Sequence, residues 1–155
     1  MRSLILVLGM MTILSPVYCQ KTSVDQQEYK INGISFNMGG TSPVLGITYE
    51  RAVSDKISLE FGVGFPSIGM GMKLFPYGIR QQKSMFHVGF TANYLNSGDG
   101  EITGFEGFIL YLPIGLSYYG KNGFNFGIDA GPGNVREGFY SDLIPYGNIK
   151  IGKRF

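Results

Sequence analysis

The sequence predicts an all-β fold, an eight-stranded antiparallel up-and-down transmembrane β-barrel preceded by a cleaved signal peptide. Three observations predict it. From Asn32 onward apolar residues alternate with period two, and no stretch sustains the i, i+3, i+4, i+7 spacing of an amphipathic helix. Glycine makes up 24 of 155 residues and charged residues only 15%, against the ~25% usual in soluble domains. The alternating runs are also even in number, and several approach the ~9–11 residues of a tilted membrane-spanning strand.

Residues 1–19 read as an export signal. Arg2 forms the charged n-region, Leu4 to Leu14 the apolar run, and Val17 and Cys19 stand where signal peptidase inspects the chain. The apolar run is too short for the ~20 residues of a spanning helix, which disfavours a membrane anchor. An acylated Cys19 would need a small residue before it, and Tyr18 stands there instead. Cleavage after Cys19 leaves no cysteine, so neither a disulfide framework nor a cysteine metal site is expected, and no cofactor is implied. Residues 20–32 then form a periplasmic N-terminal segment and 33–155 the barrel. A formal net charge of +2, without a basic run, gives no reason to expect a nucleic-acid partner.

Eight strands are expected, over 33–39, 45–52, 57–65, 68–75, 85–94, 108–119, 124–131 and 148–155. One face of the first carries Ile34, Phe36 and Met38; the second carries Leu45, Ile47, Tyr49 and Arg51. The third and fourth continue with Ile57, Leu59, Phe61, Val63, Phe65 and then Ile68, Met70, Met72, Leu74. Phe86, Val88, Phe90, Ala92 and Tyr94 follow in the fifth, and Phe108, Leu110, Leu112, Ile114, Leu116 and Tyr118 in the sixth. Phe124, Phe126, Ile128 and Ala130 mark the seventh; Ile149, Ile151, Lys153 and Phe155 mark the last. This face has no glycine, and only Arg51 and Lys153 are charged. The opposite face is rich in glycine and carries scattered polar and charged residues.

A soluble eight-stranded barrel would turn the apolar face inward and a Lys- and Glu-rich face to water. The second face here is too poor in charge for that. Turned inward, it suits a lumen just wide enough for side chains to fill, with glycine easing the curvature. Arg51 and Lys153 lie near strand ends, where a lipid-facing charge costs about 0–1 kcal/mol rather than the roughly 2–4 kcal/mol of the midplane.

With the N-terminus in the periplasm, the short links Val53 to Lys56 and Gly120 to Gly123 fall on that side, and the long links 95–107 and 132–147 fall outside. Three features depart from this pattern: the periplasmic link Pro76 to Ser84 is long, the outer link Pro66-Ser67 is short, and Pro113 interrupts the sixth strand. Proline removes a ladder hydrogen bond, and a closed barrel has no edge to hide the loss, so a bulge or local break is expected at Pro113.

The chain resembles the small outer-membrane β-barrel families, broadly OmpA/OmpX-like and especially the uncharacterised barrels of Bacteroidetes. The residues that carry the resemblance are Leu112-Pro-Ile-Gly-Leu-Ser-Tyr-Tyr-Gly-Lys-Asn-Gly-Phe124, Gly127 to Gly131, Cys19-Gln20 and the final strand. That strand resembles the C-terminal signal read by the barrel-assembly machinery through Ile149, Ile151 and Phe155; Lys153 and Gly147 depart from it. The resemblance implies an outer-membrane location and contact with outer-membrane lipids and lipopolysaccharide. It specifies architecture and carries no activity.

On the inward face Glu50, Glu60 and Asp129 match Lys73, Lys150 and Arg154 in number. Two readings stay open: a paired network that plugs the lumen, or, for Glu50 and Arg154 above all, solvation at the periplasmic mouth. His87 is the single histidine, so any His-dependent catalysis must use it, but no serine lies in a matching local pattern beside it. A lumen-lining histidine is the simpler reading, and the usual zinc constellations are excluded. Gly62-Val-Gly64 and Gly69-Met-Gly71 lack the helix and Lys-Ser/Thr of a phosphate loop. Asp99 and Glu101 could hold a cation weakly, though an acidic turn suffices to explain them. The stretch Asn134 to Asp142 mixes charge with aromatics, the composition of a recognition surface. The expected role is therefore non-enzymatic, structural or adhesive through the outer loops; the alternatives are a lipid-modifying enzyme using His87 and a narrow channel.

Overall fold

The computed structural model describes residues 29–65, 67–96, 106–137 and 140–155. The export segment 1–19, most of 20–32, and Asp99 and Glu101 lie outside the described residues. Nine strand segments form one sheet: β1 (Asn32–Gly39), β2 (Ser42–Ala52), β3 (Ile57–Phe65), β4 (Ser67–Leu74), β5 (Ser84–Asn96), β6 (Glu106–Tyr111), β7 (Ile114–Tyr119), β8 (Phe124–Glu137) and β9 (Tyr140–Arg154). Every pairing is antiparallel between chain neighbours, and β1 pairs with β9, which closes the sheet into a barrel. β6 and β7 are halves of one strand, so the barrel has eight strands.

The expected interruption at Pro113 falls between these halves. Register is unchanged across it: Thr91 faces Tyr111 and Val88 faces Ile114, so no residue is inserted and the feature is a break rather than a bulge. Gly89 still donates to the Pro113 carbonyl, but Pro113 has no N–H to return. On the other side Leu112 donates to Pro132, which likewise returns nothing. Two prolines on neighbouring strands thus remove donors at adjacent rungs.

The sequence-based ends of the seventh and eighth strands are corrected. Strands were expected to stop at 131 and resume at 148, leaving 132–147 as a loop; instead β8 and β9 run on as a long hairpin through that stretch, paired to Glu137 and Tyr140. Pro132 and Pro145 face each other within it. Odd-numbered residues of β9 direct their backbone groups towards β1, whose pairing ends at Gly39–Asn148, so the missing N–H of Pro145 points to an unpaired edge and costs nothing. The link 95–107 shortens too, since β5 reaches Asn96 and β6 starts at Glu106.

Alternation fixes which side chains point out. Phe36, Ile47, Phe61, Met70, Phe108, Ile114 and Ile151 are each at least half exposed, whereas inward neighbours such as Ser35, Thr48, Lys73 and Lys150 are buried. The outer surface is an unbroken apolar belt.

Both ends of the lumen are closed by the chain itself. At the end that carries residues 29–32 and 155, the termini end, the long link after β4 folds inward. Phe75 and Ile79 join Ala52, Met85 and Tyr119 in an apolar base, with Tyr29 packed against it. At the far end, the β1–β2 turn bends into the barrel. The β1–β2 register shifts between Met38 and Gly39, leaving Val44 and Leu45 exposed side by side while Thr41 and Ser42 turn inward and are buried. Gly39 and Gly40 take the positive φ values (87° and 68°) this turn requires. Facing strands make room for it: a Cβ at Gly46 or Gly64 would run into Ser42 Oγ, and one at Gly62 or Gly69 into the Thr41 carbonyl.

Gly64→Ala is therefore expected to lower the free energy of unfolding by about 1–3 kcal/mol in urea titrations of the folded protein. Gly127→Ala, whose Cβ would meet nothing nearer than 3.5 Å, should leave the same titration unchanged.

Candidate functional site

Between the two plugs the inward residues of five strands meet. β2 supplies Glu50, β3 Glu60, β4 Lys73, β8 Asp129 and β9 Lys150 and Arg154, each at an inward position of the alternation and each buried. They form one linear chain of ion pairs. Arg154 Nη1 lies 2.6 Å from Glu50 Oε1, and Lys150 bridges Glu50 and Glu60. Lys73 Nζ continues the chain, 3.2 Å from Glu60 and 3.5 Å from Asp129. Charges alternate along it and cancel, the condition under which ions tolerate burial. Of the two sequence readings, solvation at the mouth is excluded for Glu50 and Arg154, which are 0% and 2% exposed.

Neutral groups complete the coordination. The Tyr119 hydroxyl donates to Glu50 Oε1 at 2.6 Å, and the Arg154 guanidinium stacks 4.0 Å from the Tyr119 ring. Arg154 also donates to the carbonyls of Lys30 (2.8 Å) and Ile31 (3.2 Å), tying the segment before β1 to the end of β9. At the other extreme Asp129 accepts from the Tyr111 hydroxyl at 2.8 Å and from Asn148 at 2.9 Å. Above it, Thr48 joins Thr41 to Asn37, and Asn93 holds the Gly40 carbonyl at 2.8 Å, so the polar lumen continues into the far-end plug. Tyr111, stacked edge-on against Tyr146 at 4.7 Å, fills the remaining width.

His87 joins the chain at Asp129, with Nε2 3.5 Å from Oδ2, and its Nδ1 lies 3.2 Å from Ser117 Oγ. No local sequence pattern links a serine to His87. Ser117 comes from β7, two residues along from Gly115, the register partner of His87, and the shared inward parity was the available signal. The resulting Ser117–His87–Asp129 set has the constituents of a nucleophilic triad. All three are buried in the lumen, Ser117 at 1% exposure, between the plugs and away from any surface a substrate could reach. The arrangement holds His87 through the Ser117 contact at Nδ1, while the buried Nε2, 3.5 Å from Asp129, makes no hydrogen bond among the described residues.

The residues expected to form the membrane-insertion signal, Ile149, Ile151 and Phe155, sit exposed on the outer face at the β9 end, and the Phe155 backbone exchanges hydrogen bonds with Asn32. Among the described residues no cluster of His, Cys, Asp and Glu could hold a metal ion. No protein-family model, no curated protein and no solved structure matches the chain.

Removing one member of a buried ion pair costs about 3–5 kcal/mol, because the partner is left charged and unpaired. Lys150→Met should destabilise by that amount in urea. Adding Glu60→Gln leaves Arg154–Glu50 and Lys73–Asp129 as balanced pairs, so the double variant should be more stable than Lys150→Met by about 1–3 kcal/mol.

Proposed function

We propose that this chain is a sealed outer-membrane β-barrel whose role is structural or surface-interacting, with the β8–β9 hairpin as its outward-projecting part. The belt of large apolar side chains around the whole barrel carries this reading. Soluble monomers rarely expose contiguous apolar patches beyond a few hundred Å2. Here Phe, Ile, Leu and Met side chains line the outside of all eight strands, many of them half exposed. A hydrocarbon surround removes that cost and also explains why the polar groups point inward. The ion-paired lumen, closed at both ends, supports a plugged barrel over a conducting one. Burial of Ser117, His87 and Asp129 supports a structural role for His87 over lipid-modifying catalysis. In this reading Ile149, Ile151 and Phe155 serve the barrel-assembly machinery, and the partners are outer-membrane lipids with lipopolysaccharide in the outer leaflet.

The hairpin favours surface interaction. Among the described residues no strand lies beside its β9 edge beyond Asn148, and Leu143 is 74% exposed near its tip. Ser141, Asp142 and Pro145 lie beside Leu143, a mixture suited to contact rather than to burial.

A Leu143→Cys variant on intact cells should react with a membrane-impermeant maleimide, whereas Lys121→Cys, at the opposite end, should react only after the envelope is opened. The reverse pattern, or labelling of both in a soluble fraction, would overturn the proposal. Purified protein in planar bilayers should give no conductance above background; steady single-channel currents would contradict the plugged lumen.

A further inference from the structure

Of the described cations outside the lumen, all but Arg136 lie at one end. At the termini end every connection supplies a cation: Lys56 between β2 and β3, Arg80 and Lys83 between β4 and β5, Lys121 between β7 and β8, and Lys30 before β1. Arg51 and Lys153 add to them on the outward faces of β2 and β9, at the last rungs opposite Asn32 and Ile34. Lys30 and Arg51 are half-buried and the rest are exposed. Asp55 is the one acidic side chain among the described residues of this end. Among the described residues none of these cations is ion-paired; every ion pair lies in the lumen. At the opposite end the described charged side chains outside the lumen are Asp142 and Arg136, one of each sign.

Their placement identifies the partner's shape. In the closed strand order the β2–β3, β4–β5 and β7–β8 links and the β1–β9 seam are spread around the whole circumference. A protein or a compact ligand would touch one sector of such a ring, whereas a lipid leaflet touches all of it. Height agrees with this: Arg51 and Lys153 follow Tyr49 and Ile151 at the margin of the apolar belt, with Val53 and Phe155 one step further, where headgroups would lie. Tyr77, 76% exposed in the same link as Arg80 and Lys83, has the amphipathic ring favoured at that level.

We propose that the ring of unpaired cations at the termini end is a collar that binds anionic phospholipid headgroups of the leaflet it faces. The inference rests on the membrane-barrel reading and adds to it a lipid class and a side. The attraction is electrostatic, summed over separate Lys and Arg side chains close to an anionic surface, and therefore sensitive to salt.

The test uses the barrel reconstituted in phosphatidylcholine bilayers with trace spin-labelled phosphatidylglycerol or phosphatidylcholine. Electron spin resonance reads the motionally restricted fraction of each. The collar predicts at least about a threefold preference for phosphatidylglycerol in low salt. That preference should fall towards unity in 1 M salt, where the Debye length is about 3 Å. It should also weaken in the quadruple variant Lys30→Gln, Arg51→Gln, Lys121→Gln, Lys153→Gln, which leaves Lys56, Arg80 and Lys83 in place, while Arg136→Gln, at the other end, keeps it unchanged. Should the quadruple variant fold poorly, acetylation of the exposed lysines on folded wild-type protein replaces it, with the same expected weakening. Restricted lipid of both kinds without preference overturns the collar, leaves the barrel reading standing and points to an acidic protein partner. Absence of any restricted lipid, together with identical gel mobility before and after boiling, overturns the membrane reading itself.

Discussion

Closure of β9 onto β1 is the constraint from which the rest of the structure follows. Once the ladder is continuous around eight strands, every residue has one of two destinations, and the inner one is a cylinder only a few side chains wide. Polar groups sent there lose water and must find each other. Closure also supplies the means, because β9 brings Lys150 and Arg154 to the acids of β2 and β3. Without β9, Lys73 would be the only Lys or Arg among the described lumen residues near Glu50 and Glu60. The ion-pair chain is thus a consequence of the closed sheet and at the same time a reason for it to stay closed.

The two plugs work by different physics. The base is apolar, built from Phe75, Ile79, Ala52, Met85 and Tyr119, and needs only shape. The far-end plug is backbone and small polar side chains, and it needs space that only glycine leaves. Tyr119, from the base, contacts Glu50 and Arg154 at one end of the charged chain, and Tyr111 contacts Asp129 at the other. This layering explains why an unusually glycine-rich face can still be densely filled. It also bears on function, since a lumen filled by its own side chains leaves the outer belt, the rim charges and the projecting hairpin as the surfaces on which the protein can act.

Much of this was legible in the sequence, because period-two alternation assigns each residue to a face without knowledge of its partners. Glu50, Glu60, Lys73, His87, Asp129, Lys150 and Arg154 all lie where parity sends them. The pairing among them was not legible, because it depends on register between strands far apart in the chain, as in the contact between Glu50 and Arg154. Pro132 and Pro145 are accommodated inside the long hairpin for a physical reason. A proline is costly in a strand only if a neighbour needs its N–H, and Pro145 faces an unpaired edge while Pro132 lies beside the break that Pro113 already opens. The inward folds of Thr41–Ser42 and Phe75–Ile79 also escaped, since links carry no alternation to reveal their direction. Glycine was correctly given an inward place, but its use as a seat for the β1–β2 turn emerges only from the contacts.

The central claim is that the apolar belt requires a hydrocarbon surround. Sedimentation of residues 20–155, refolded from urea into plain buffer and into lipid vesicles, tests it most directly. The account predicts aggregation without lipid, and in vesicles a protease-resistant β-sheet species that floats with the lipid. A folded, monodisperse monomer in plain buffer would contradict it.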